Sequence, residues 1–91
     1  MRVVYTEEAL ENLDEILTYI STNYPTVYDG FQRRLLSVVR RIADWPDSAQ
    51  EVADRPSVRV APLVRYPDRV FYRNTGHTIE ILHIHHTARE E

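Results

Sequence analysis

Two spacings of apolar residues divide the chain. The first is helical. Leu10, Leu13, Ile16, Leu17 and Ile20 fall on one face, with Glu7, Glu8, Glu11, Asp14, Glu15 and Thr18 on the other. Thr6 stands where a helix cap is needed, and Glu7 and Glu8 occupy the first turn, where carboxylates favour the helix dipole. Ser21-Thr22-Asn23 and then Pro25 end this helix. A second begins near Pro25, a good first-turn residue, with its stripe at Tyr28, Phe31, Leu35, Val38, Val39 and Ile42, and closes at Trp45-Pro46. Helices of roughly 16 and 20 residues with a short joint predict an antiparallel hairpin.

The second spacing is that of strands. A short β-prone stretch, Arg2-Val3-Val4-Tyr5, precedes the first helix. The polar segment from Pro46 to Ser57 reads as a loop. Val58-Arg59-Val60-Ala61 follows as a strand that Pro62 makes an edge or irregular at its end. Arg69–Arg73 is the next strand. The turn sequence Asn74-Thr75-Gly76-His77 joins it to Thr78–His85, so these two pair antiparallel. The order β, α, α, β, β, β predicts an α+β domain: an N-terminal strand, a two-helix hairpin, then a three-stranded antiparallel sheet with the hairpin on one face. Strict alternation would put Ile79, Ile81, His83 and His85 on one face of the last strand and Glu80, Leu82, Ile84 and His86 on the other.

Composition narrows the class. Ninety-one residues make a single domain, here 1–91, with room for one modest core. No apolar run reaches the ~20 residues of a membrane span, and the N-terminus lacks a signal-peptide core. There is no cysteine, which excludes disulfides, thiolate metal sites and a cysteine nucleophile and fits a reducing, cytoplasmic setting. The net charge of −3 argues against nucleic-acid binding over the whole surface. The charge is uneven, however. Up to Asp54 ten acids face five arginines, whereas from Arg55 onward six arginines face four acids and all four histidines occur. Every basic residue other than histidine is arginine, which suits bidentate recognition of carboxylate or phosphate but also follows from base composition.

Chemistry could sit in the C-terminal half. His83 and His85 are spaced as two zinc ligands on a strand, yet no third ligand presents itself, and no cofactor is expected. His86 is a candidate general acid or base, or else a structural histidine joining the strand end to the helices. The arginines Arg59, Arg65, Arg69 and Arg73, interleaved with Tyr66, Phe71 and Tyr72, could converge on an open sheet face, or solvate it, or pair with Glu80 and Asp68. With glycine only at Gly30 and Gly76, a glycine-rich phosphate loop is excluded.

Taken together these pieces resemble the RelE/ParE superfamily of bacterial toxins from type II toxin–antitoxin operons. The resemblance spans nearly the whole chain: Thr6-Glu7-Glu8-Ala9, the helix segment Leu13-Asp14-Glu15-Ile16-Leu17-Thr18-Tyr19-Ile20, Trp45-Pro46, Val58-Arg59-Val60, Val70-Phe71-Tyr72-Arg73, and the closing run from Ile81 to Glu90 that carries His86 and Arg89. The Leu-Asp-Glu-Ile helix and the closing Ala88-Arg89-Glu90 look more like the ParE branch, plasmid-stabilising gyrase poisons without known enzymatic activity. His83 replaces a basic residue, often arginine, expected of the RelE branch. The charge points the same way, since a ribosome-site RNase gains from a cationic surface.

The ParE resemblance implies a cognate antitoxin, ParD-like or other, in a heterotetramer or larger complex. It also implies DNA gyrase as target, no sequence-specific nucleic-acid binding, and a target-binding surface of His86 and Arg89, then Arg59, Arg65 and Arg73. A RelE-like ribosome-dependent RNase is the alternative, with His86 as acid or base, Arg59, Arg65 and Arg73 on phosphate and Tyr72 positioning a base. A degenerate toxin kept as a binding module is a third reading.

Overall fold

The computed structural model describes residues 1–87. Strand β1 (Arg2–Tyr5) runs into helix α1 (Glu7–Asn23). Thr6 caps α1 as its position predicts, its Oγ1 accepting the Ala9 N–H at 3.1 Å. A 3-10 turn (Pro25–Val27) reverses the chain into helix α2 (Tyr28–Asp44), so Pro25 opens the turn and α2 starts three residues later than the proline suggests. Four strands follow: β2 (Gln50–Val52), β3 (Arg55–Pro62), β4 (Asp68–Asn74) and β5 (Thr78–His86).

The α+β order holds, but the sheet is larger than predicted. It is mixed and five-stranded, in the order β1-β5-β4-β3-β2, with β1 parallel to β5 and the other pairs antiparallel. The stretch read as a loop contributes β2. That strand is polar and only three residues long, so it carries no alternation to detect. It is held from across the sheet instead: Glu51 lies opposite Arg59, whose guanidinium donates to the Ala49 carbonyl at 2.6 Å and the Asp47 carbonyl at 3.2 Å.

One sheet face is buried against both helices. Ala9, Ile16 and Ile20 of α1 and Phe31, Leu35, Val39 and Ile42 of α2 meet Ala61, Leu63, Val70, Tyr72, Ile79, Ile81 and Ile84. Each of the Val, Leu, Ile and Phe side chains among them contributes roughly 1.5–3 kcal/mol of transfer free energy. The alternation along β5 is broken by a bulge: Tyr72 pairs with Ile81 but Phe71 pairs with His83, leaving Leu82 without an opposite number. The bulge corrects the predicted faces. Ile84 and His86 join Ile79 and Ile81 on the inner side, while His83 and His85 turn outward with Glu80, Phe71 and Arg69.

Helix α1 takes up the backbone groups around the bulge. Thr6 Oγ1 donates to the Leu82 carbonyl at 2.8 Å, the Thr6 N–H donates to the Ile81 carbonyl at 3.0 Å, and the Ile84 N–H donates to Asn12 Oδ1 at 3.0 Å. Asn12→Ala therefore strands a partly buried N–H, at an expected cost of about 1–3 kcal/mol in thermal or urea unfolding. Asn12→Asp, which keeps the acceptor, should lose much less. Equal losses for the two would mean that the bulge does not depend on that bond.

Candidate functional site

The bulge decides what the C-terminal strand presents. On the inner side it sets His86 opposite Asp68, the first residue of β4. His86 Nδ1 lies 2.5 Å from Asp68 Oδ2, and their side chains are 7% and 1% exposed. With a carboxylate as acceptor, Nδ1 carries the proton. Tyr19 of α1 covers the imidazole edge-on at a centroid distance of 5.2 Å. Burial raises the Asp68 carboxyl above its ordinary range, opposed by the hydrogen bond and charge of His86 and the charge of His85. Among the described residues, Asp68 Oδ1 and His86 Nε2 are buried without a hydrogen-bond partner. His86 thus bonds to the first residue of β4 and lies against Tyr19 of α1. Asp68 pairs with it rather than with an arginine.

The candidate arginines do not converge. Arg59 is drawn under the segment after α2 by its two carbonyl bonds, with Asp47 and Glu51 carboxylates at 3.7 and 3.6 Å. Arg73 lies on the open face in an ion pair with Glu80 at 2.7 Å. Arg65 is exposed on the turn between β3 and β4, where the Tyr66 N–H donates to the Leu63 carbonyl and Arg65 itself has φ of +80°. Tyr72, the RNase reading's base-positioning residue, is fully buried and donates its hydroxyl to the Pro46 carbonyl at 2.6 Å, so it cannot meet a base on the surface. Burial raises its phenol above the ordinary value. Arg89 lies outside the described residues.

The open sheet face carries a smaller constellation. His83 stacks on Phe71 at 4.4 Å with 25° between planes, and Arg69 Nη2 lies 3.3 Å from His85 Nδ1. Burial lowers the His83 imidazole, Glu8 opposes that shift, and Arg55 and His85 add to it. His83 and His85 therefore have protein neighbours, and among the described residues no group of three or more His, Cys, Asp or Glu stands where it could hold a metal. No helix among them is long and apolar enough to cross a membrane.

A groove of about 460 Å³ runs between α2 and β3, and no single motif announces it. Its floor includes Val38, Ala61 and the exposed Val64, and Arg34, Arg41 and Arg69 also line it. Arg34 and Arg41 stand two turns apart on α2 with Val38 between them. That spacing was the available signal, although by helical periodicity both arginines count as solvated positions. The surface thus combines apolar residues with the arginines Arg34 and Arg41 of α2, the complement of an amphipathic acidic segment, while the Arg69 guanidinium reaches His85 on the open face.

A family model for the ParE toxin of type II toxin–antitoxin systems, parDE, matches residues 3–91. A solved structure of the chromosomal ParDE toxin–antitoxin system from P. aeruginosa is similar in fold, with a TM-score of 0.79, 24% sequence identity, and coverage of 94% of this chain and 95% of that one. No curated protein sequence matches the chain.

Proposed function

The chain belongs to the ParE toxin family of type II toxin–antitoxin systems, and we propose that it arrests DNA gyrase by binding and is neutralised by a cognate antitoxin seated in the α2–β3 groove. The groove carries this reading. Its apolar residues and the arginines Arg34 and Arg41 suit an acidic segment that folds on docking. The internal engagement of His86, Arg59 and Tyr72 supports a toxin that acts by contact over one that cleaves RNA, because these groups would have to leave existing partners to reach a phosphodiester. The similar structure is itself of a ParDE system, which supports an antitoxin as the partner here.

For the gyrase-facing surface we assign Arg65 first among the described arginines, together with Arg89, which lies outside the described residues. A non-glycine residue at φ +80° is costly, and the hydrogen-bonded turn between Leu63 and Tyr66 holds Arg65 there with its side chain exposed. Arg65→Gly should raise stability by about 0.5–1 kcal/mol, the left-handed penalty less glycine's extra chain entropy. It should also weaken growth arrest when the toxin is expressed without antitoxin. Full toxicity from a stabilised Arg65→Gly protein would remove Arg65 from the target surface.

A further inference from the structure

The side of the helix hairpin turned away from the sheet carries two charged stripes of opposite sign. On α1 the exposed acids Glu7, Glu11 and Asp14 recur about a turn apart around Leu10, which is 54% exposed. On α2 the exposed Arg33 and Arg40 flank Leu36, which is 50% exposed. The spacing is the same: Arg33 and Arg40 stand to Leu36 as Glu7 and Asp14 stand to Leu10. Asp29 and Asp44 lie a turn beyond the arginines at either end of α2. Among the described residues, none of Glu7, Glu11, Asp14, Arg33 and Arg40 forms an ion pair. All five lie off the buried stripes that pack on the sheet. They also leave the α2–β3 groove open, since Arg34, Val38 and Arg41 line that groove from the other flank of α2.

We propose that this face binds a second copy of the chain, in a two-fold dimer that lays α1 of each copy over α2 of the other. Charge selects the occupant and the arrangement. The face is a negative stripe beside a positive one. A two-fold axis parallel to the helices sets unlike stripes over each other at two equivalent contacts, with Leu10 and Leu36 of both copies between them. A two-fold axis across the helices would set acid on acid and arginine on arginine. Area sets the strength. Each helix has 17 residues, so the face is about 25 Å long and, two helices wide, about 20 Å across. Two such faces bury about 1,000 Å², the lower end for a specific interface. The dimer is therefore weak and depends on the charge match. This inference is independent of the gyrase and antitoxin readings.

The test is sedimentation equilibrium of the full-length chain at up to about 500 μM, in about 50 mM and then about 500 mM salt. The wild type should dimerise at low salt and dissociate as salt rises, a readout that needs no variant. Arg33→Glu with Arg40→Glu, and separately Glu11→Arg with Asp14→Arg, should each dimerise at least about 10-fold more weakly, because each sets like charges face to face. An equimolar mixture of these two variants should regain wild-type association, because unlike stripes then meet at both contacts. Arg2→Glu with Arg55→Glu has the same net charge as the first variant, changed at exposed sites outside the face, and should dimerise like the wild type. Circular dichroism melts establish that folded proteins are compared. A wild type that stays monomeric, association insensitive to salt, wild-type association in either reversed variant, no recovery in the mixture, or an equal loss in the Arg2 and Arg55 control would each overturn the proposal.

Discussion

Replacing Asp68 with alanine should lower the melting temperature by on the order of 20 °C. The pair is almost wholly removed from water, and nothing else among the described residues bonds the imidazole nitrogens of His86. Breaking a buried pair by deleting one partner costs about 3–5 kcal/mol, because the survivor keeps its desolvation and loses its compensation. In a domain of this size each kcal/mol moves the midpoint by about 4–8 °C. Circular dichroism during heating reads the shift, and a fall of only two or three degrees would show that His86 is readily rehydrated.

The pH dependence has a definite sign. Burial raises the folded carboxyl of Asp68 above its ordinary value, so just above the normal aspartate range the folded state holds a proton that the unfolded chain has released. The stability contributed by this group is complete below the unfolded value and is lost as pH rises through the folded one. Asp68→Asn keeps an acceptor for Nδ1–H and does not titrate, so it should flatten that part of the stability profile. An unchanged profile would assign the slope to other groups.

The second large effect concerns the groove. Reversing two of its cations, Arg34→Glu with Arg41→Glu, should weaken capture of the cognate antitoxin by about 100-fold, or about 2.7 kcal/mol, as attraction toward an acidic segment becomes repulsion. Neither residue belongs to the buried stripe, so stability should move by no more than about 0.5 kcal/mol at the exposed Arg41, and by somewhat more at the half-buried Arg34. The wild-type complex should also weaken as salt is raised, while the doubly reversed variant should not, because the favourable charge contribution is the part that screening removes. Wild-type affinity in the reversed variant would place the antitoxin elsewhere.

The sequence displayed what depends on local period. The Thr6 cap, the two apolar helix stripes apart from Leu10, which is exposed while Ala9 is buried, and the turn at Asn74–His77 could be located without coordinates, and the Arg73–Glu80 pair was among the options open to the sheet arginines. What it hid depends on contacts between distant elements. Counting back from the Asn74–Ile79 pair without a bulge sets Asp68 opposite His85, whereas the unpaired Leu82 shifts the register by one and brings in His86. No residue type at Leu82 signals that shift; Thr6 and Asn12, bonded to Leu82 and Ile84 across 76 and 72 positions, hold it. Strand β2 was hidden for a similar reason, since Arg59 rather than an apolar face anchors the segment beside it. For the site, residue type singled out His86 and the arginines, but it could not tell a side chain engaged inside the fold, such as His86, from an exposed one, such as Arg65.

The most direct test of the central claim is supercoiling by purified gyrase with the toxin added, scored for trapped DNA cleavage complexes, with and without the cognate antitoxin. Cleaved DNA should appear with the toxin and disappear when the antitoxin is added first. Unimpaired supercoiling and no trapped cleavage in the presence of demonstrably folded toxin would contradict it.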